Sequence, residues 1–151
     1  MKLSTKGRYA MVALVELALQ PAGQRLNLAE IARREDISLA YLEQLFVRLR
    51  RAGLVDAVRG PGGGYSLARP AAEIAVVDIL TAVDEDLSAL SRGAGAGGAS
   101  SGTRAQSLAN RLWEGLSAHV YVYLRQQSLA DVVTNRLTPC PAVPLLFEVV
   151  D

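Results

Sequence analysis

The chain has 151 residues, 50% of them hydrophobic, with a formal net charge of +1 and a single cysteine, Cys140. That is enough apolar material for one domain with a real core, or for a small domain plus an oligomerisation element, and it excludes disorder throughout. The lone cysteine excludes an intrachain disulfide and a four-cysteine metal site within one chain.

The small net charge hides a polarity. Residues 1–70 carry 11 Lys/Arg against 6 Asp/Glu, whereas residues 71–151 carry 5 against 9. A basic half beside an acidic half fits a nucleic-acid face on one part and a different task on the other. The start, MKLSTKGRYAMVALVELALQ, is basic and then apolar, but Glu16 interrupts the run and no small-x-small cleavage site follows. No stretch reaches the roughly 18 uncharged apolar residues of a membrane helix. No membrane association is expected, and the expected compartment is the cytoplasm.

In chain order, Thr5 to Gln20 reads as a helix ended by Pro21 and Gly23, apolar nearly all round and therefore packed between neighbours. In NLAEIARRED, Asn27 is placed to cap a short helix, with Glu30 three residues on in the capping-box position. Asp36-Ile37-Ser38 forms the turn, and Ser38 caps a second helix that Gly53 stops. A short helix, a tight turn and a second helix have the spacing of a helix-turn-helix. At about 100° per residue, Leu39, Leu42, Leu45, Phe46 and Leu49 share the core face of this second helix. Gln44, Arg48 and Arg51 point outward with Ala40 and Val47, and Tyr41 and Glu43 lie at the edges.

LVDAVRGPGGGYSLA follows, two short apolar runs around Pro61 and four glycines, which is a hairpin signal because those residues cannot sustain a helix. Pro70 opens a connector. IAVVDILTAVDEDL reads as a further helix with Ile74, Val77, Leu80 (or Ile79) and Val83 toward the core, and Asp84, Glu85 and Asp86 as its solvated acidic end. From Leu90 to Thr103 the Gly, Ala and Ser content offers little to bury, as in a flexible loop. Helical periodicity returns from Arg104 to Gln127, with Leu108, Leu112, Leu116 and Val120 at four-residue spacing and Ala109, Trp113 and Tyr123 beside them. A symmetric dimer would bury that stripe against its own copy; alternatively the helix folds back on the N-terminal domain. Ser128 caps a short helix in SLADVV, and the proline-rich tail reads as extended.

The expected fold is mainly α with a small β-hairpin wing. It comprises a winged helix-turn-helix over residues 1–88, a loop over 89–103, a dimerisation helix and short following helix over 104–134, and an extended tail over 135–151. The second helix fits a major groove, where Gln44 pairs with adenine and an arginine with guanine, while Glu43, otherwise repelled by phosphates, accepts from a cytosine amino group and acts as a discriminator. Arg59 at the hairpin shoulder reaches a minor groove or phosphates, and the amides of Gly60, Gly62, Gly63 and Gly64 can approach a backbone closely. Arg50 and Arg51, with Lys2, Lys6 and Arg8, are phosphate contacts that position without specifying. GPGGGY has neither the Lys-Ser/Thr of a Walker loop nor a GxGxxG register ahead of a helix. His119, near the edge of the long helix's stripe, has no Ser or Cys partner; it and Cys140 are weak metal-ligand candidates.

MKLSTKGRYAMVALVELAL, ISLAYLEQLFVRLRRAGLV, VRGPGGGYSLAR, IAVVDILTAVDE and the later LW with SLADVV resemble the winged-helix transcription factor family of the iron-sulfur-cluster regulator IscR, closely over residues 1–90 and loosely over 108–134. The resemblance implies a winged helix-turn-helix, a long dimerisation helix and a homodimer on a palindromic operator in double-stranded DNA. It matches Ser38, Tyr41, Glu43 and Gln44 to DNA-contacting positions of the recognition helix and Arg59 with Gly60 to the wing, with Ala40 replacing an expected serine. The DNA-binding set is then Ser38, Tyr41, Glu43, Gln44, Arg48, Arg51, Arg59, Gly60, Pro61 and Gly62, and the dimerisation set Leu108, Leu112, Trp113, Leu116 and Val120.

The chain departs from that family in one place. The family's loop before the long helix carries three cysteines, with a histidine before the tryptophan, and together they hold a [2Fe-2S] cluster. Here SRGAGAGGASSGTRAQSLANRLW has no cysteine, and Asn110 stands in the histidine's place. Either the cluster is lost, or it is ligated unconventionally through Cys140, His119 or carboxylates, or the ligands were removed by engineering. The leading reading is a transcription regulator, a repressor of iron-sulfur assembly or iron-responsive genes. The alternative is a protein-interaction adaptor whose winged helix is structural. No nucleophile, base and orienting group assemble into an enzyme site.

Overall fold

The computed structural model describes residues 3–87 and 102–139. Its helices are α1 (Thr5–Ala18), α2 (Leu28–Glu35), α3 (Leu39–Arg51), α4 (Val76–Ala82), α5 (Arg104–Gln126) and α6 (Leu129–Val133), with strands β1 (Val55–Val58) and β2 (Gly64–Leu67). The fold is the expected one, mainly helical with a two-stranded antiparallel hairpin.

Local chemistry explains the reading unit. Asn27 accepts a hydrogen bond from the Glu30 amide at 2.8 Å and starts α2. The other half of the expected capping box does not form, because the Glu30 carboxylate turns to Arg33 and Arg34, whose guanidiniums outcompete one backbone amide for its charge. Asp36 ends α2 in the left-handed conformation at φ 52. Ile37 then plugs the core, and Ser38 accepts from the Tyr41 amide at 3.4 Å to open α3. Leu42, Leu45, Phe46 and Leu49 are buried as the periodicity predicts, but Leu39 is 42% exposed. It lies in the first turn at the rim of the apolar stripe, beside Glu43 and Arg50 rather than over its centre.

The hairpin pairs Val55 with Leu67 through to Val58 with Gly64. Its base is held twice. Tyr65 exchanges backbone hydrogen bonds with Leu26 at 2.9 and 3.0 Å, adding a one-residue third rung, and its ring meets fully buried Phe46 edge-on with centroids 4.8 Å apart. At the tip, a Cβ on Gly63 would stand 2.3 Å from the Val58 carbonyl oxygen, so no other residue fits that turn.

The helix after Pro70 differs from expectation. The predicted helix from Ile74 is shorter, Val76–Ala82, because a 3-10 turn at Ala71–Glu73 and an extended Ile74-Ala75 precede it. Ile74, Val77, Ile79, Leu80 and Val83 are all buried. The extended pair has a partner at the far end of the described chain: Ala75 bridges Ser128, Leu129 N–H donates to the Ile74 carbonyl at 2.8 Å, and Val76 N–H donates to the Gln127 carbonyl at 2.8 Å. Leu129 is fully buried in the core formed by α1, α3 and α4. Gln127, buried to 1% exposure, accepts from the Thr138 amide at 2.9 Å and donates to the Tyr123 carbonyl at 3.3 Å. Ser128 and Asp131 complete a reciprocal capping box that starts α6.

α5 rests mainly on α4 and buries none of its residues. Because α6 reaches into the shared core, Leu129→Ala should destabilise the whole chain by about 2–5 kcal/mol, read as a single shifted urea unfolding transition.

Candidate nucleic-acid interface

The outward arc of α3 is made by Leu39, Ala40, Glu43, Gln44, Val47, Arg48, Arg50 and Arg51, all exposed. Glu43, Gln44, Arg50 and Arg51 have no side-chain partner among the described residues, leaving their donors and acceptors free. Ser38 is exposed at the arc's start, with its hydroxyl engaged by the Tyr41 amide. Tyr41 is half-buried, its ring edge-on to Tyr9 at 5.7 Å, so packing fixes its direction. Arg48 is already paired: its guanidinium donates to the Asp84 carboxylate at 2.6 Å and to the Val83 carbonyl at 3.4 Å.

The wing stands at the end of the same segment. Arg59 is exposed at its shoulder, followed by Gly60 at φ 92, exposed Pro61 and Gly62 at φ 74. Gly63 N–H closes the turn on the Gly60 carbonyl at 2.8 Å. Of the further basic residues read as phosphate contacts, Lys6 donates to the Asp84 carbonyl at 3.1 Å and Arg8 to the Leu3 carbonyl at 3.4 Å.

The acidic end of α4 is a correction to the sequence reading. Asp84 and Asp86 are exposed, as a solvated terminus requires, but Glu85 is half-buried and engaged. Ser4 at the start of α1 forms no side-chain cap of its own; instead its amide and hydroxyl both donate to the Glu85 carboxylate, the amide at 3.0 Å. Partial burial opposes ionisation of Glu85, but the Ser4 hydroxyl and the Ser4 and Gly7 amides, with Lys6 nearby, outweigh it and hold the carboxyl below its ordinary value. A Cβ at Gly7 would lie 2.7 Å from that carboxylate, which is why glycine sits in the first turn of α1. The one local sign of this clamp is a glycine inside an otherwise strong helix.

α5 leaves Leu108, Leu112, Trp113 and Leu116 exposed, at 41% to 64%, and Val120 half-buried. His119 is exposed on the same helix, Cys140 lies outside the described residues, and so does most of the 89–103 loop. Among the described residues no group of three His, Cys, Asp or Glu side chains is arranged to hold a metal. Asn110, the α5 residue at the position matched to the family's histidine, offers an amide, and the preceding segment offers hydroxyls and backbone. Neither replaces thiolate in a [2Fe-2S] centre, so these residues do not fit the group in the family's manner. No described helix is long and apolar enough to cross a membrane.

A capped short helix, a left-handed turn, an outward polar helix and a flanking glycine wing define a winged helix-turn-helix DNA-binding regulator. The sequence pattern of the Rrf2 family, iron-dependent transcriptional regulators, matches residues 3–135. The chain is similar to the HTH-type transcriptional regulator IscR of Cereibacter sphaeroides, at 69% identity over all of this chain and 99% of that one. Among solved structures it is similar to CymR, the global cysteine regulator of B. subtilis, with a TM-score of 0.74 at 30% identity, covering 89% of this chain and 98% of that one. It is also similar to T. potens IscR, with a TM-score of 0.70 at 33% identity, covering 89% and 88%. The chain belongs to the Rrf2 family and is an IscR-like, DNA-binding transcription regulator, not an enzyme.

The clamp predicts a pH dependence. Glu85 has a folded-state pKa below the unfolded value near 4.5, so its contribution is complete above the unfolded value and is lost as pH falls through the folded one. Glu85→Ala should lower the Tm at neutral pH, and the gap to wild type should shrink as pH falls below the ordinary carboxylate value, followed by thermal melts across pH.

Proposed function

We propose that the chain acts in the cytoplasm as a homodimeric repressor of iron-sulfur assembly or iron-responsive genes on a palindromic operator, each protomer placing α3 in a major groove. The observation that carries this reading is the coincidence, on one segment, of a polar arc with free Glu43, Gln44 and Arg51 and a glycine wing led by unpaired Arg59. Gln44 and Glu43 read base edges, Ser38 and Tyr41 border them, Arg51 takes a phosphate, and Arg59 with Gly60, Pro61 and Gly62 follows the adjoining backbone or minor groove. Arg48 faces the same side, with one guanidinium nitrogen held by Asp84.

The long helix supports the second half of the proposal. A 23-residue helix that buries nothing of its own while exposing Leu108, Leu112, Trp113 and Leu116 suits a second copy of itself. The names of relatives connect this class to iron and to cysteine regulation. The cluster donors of the family pattern are missing here, so no step of the DNA reading is routed through a cluster. Anaerobic reconstitution, with iron, sulfide and visible absorption measured for wild type and Cys140→Ala, tests ligation by other groups.

Three variants test the reading. Arg59→Ala should weaken binding to every duplex and reduce the salt slope by about one phosphate, whereas Glu43→Ala should leave operator affinity largely intact and relax base choice, both followed by anisotropy titrations against a panel of duplexes. Leu116→Glu should convert dimer to folded monomer in analytical ultracentrifugation, with its helical circular dichroism retained.

A further inference from the structure

Asp84 sits where three elements meet. Its carboxylate accepts from Arg48 of α3 at 2.6 Å, its carbonyl accepts from Lys6 of α1 at 3.1 Å, and its own amide donates to Thr81 of α4 at 3.1 Å. The next residue, Glu85, accepts from the amide and hydroxyl of Ser4, tying the same turn to the start of α1. Asp84 also occupies the left-handed region at φ 57. Glycine or asparagine suits that conformation at least as well, so the backbone alone does not call for a carboxylate there. What the carboxylate adds is its hold on Arg48.

That hold has a consequence for DNA. Arg48, Arg50 and Arg51 are the three cations on the outward arc of α3, and of these Arg48 alone has a side-chain partner among the described residues. Both members of the pair are open to solvent, with side chains 44% and 74% exposed, so the pair is weak and a phosphate can compete for the guanidinium. Exchange comes at a cost, however, because it strands the Asp84 carboxylate beside a polyanion. Arg48 therefore gives arbitrary DNA less than an unpaired arginine would, and base contacts carry a larger share of the binding.

We propose that Asp84 is a specificity-determining positioning residue, one that holds the Arg48 guanidinium and thereby limits sequence-independent attraction to the DNA backbone. The proposal rests on the reading of α3 as the recognition helix. It is tested on the full chain with a duplex selected by wild type from a random-sequence pool and with a scrambled version of that duplex, by anisotropy over a range of salt. Asp84→Asn preserves the left-handed residue and removes the charge. It should bind the scrambled duplex about three- to tenfold tighter at low salt, with a log-log salt slope steeper by about one, and its preference for the selected duplex should fall. In the Arg48→Ala background the same substitution should change neither quantity.

Wild-type affinity and slope for Asp84→Asn would overturn the proposal. So would weaker binding to both duplexes, or an equal gain without Arg48, which would make the effect one of net charge. If wild type itself shows no preference between selected and scrambled duplexes, the assignment of α3 fails, and with it the ground on which the proposal stands.

Discussion

The arrangement depends on the burial of Phe46. Its ring is fully enclosed on the inner face of α3 and meets Tyr65 of the hairpin edge-on. An aromatic pair of this geometry adds about 0.5–1.5 kcal/mol beyond the area it buries, but its larger effect is positional. It ties the helix that carries the polar arc to the strand that carries the glycine tip. The Leu26–Tyr65 rung ties the same strand to the segment that leads into α2. Helix and wing therefore form one rigid reading unit, and the outward residues of each keep a fixed spacing.

A second frame encloses that unit. α1 is gripped at its start by Glu85, α3 is joined to the end of α4 through Arg48 and Asp84, and α6 returns to the core through Leu129. Most of these links are polar, exposed and individually weak. The two polar links meet on adjacent residues, Asp84 and Glu85, at the end of α4.

The parts visible in the sequence were those governed by local rules. Periodicity gave α3 and α5, the serine caps gave the starts of α3 and α6, and Pro61 among glycines gave the wing, since each depends on residues within one or two turns of itself. The outward placement of Glu43, Gln44 and Arg59 was legible for the same reason. What escaped was set by contacts distant along the chain. Asp84 and Glu85 look like a solvated helix end until Arg48, 36 residues away, and Ser4, 81 away, are seen beside them. The five-residue α6 was visible as a helix, but its fit against Ile74 was not, because burial there is decided by an extended segment far upstream. Glu30 failed as a capping partner through nearby competition, two arginines outbidding one amide.

Gln127 gives the long helix a pivot. Its backbone carbonyl and side-chain carbonyl fasten the C-terminal end of α5 to Val76 and Thr138, while the helix extends 23 residues from that point, about 35 Å at 1.5 Å per residue. Held there and by its seat on α4, the helix leaves its N-terminal part projecting, and a projecting rod converts a small tilt at the seat into a larger displacement at the tip. In the proposed homodimer, the direction in which this buried amide aims α5 would thus be read out as the separation of the two reading units, and a side chain that touches no DNA would help decide which half-site spacing the protein accepts.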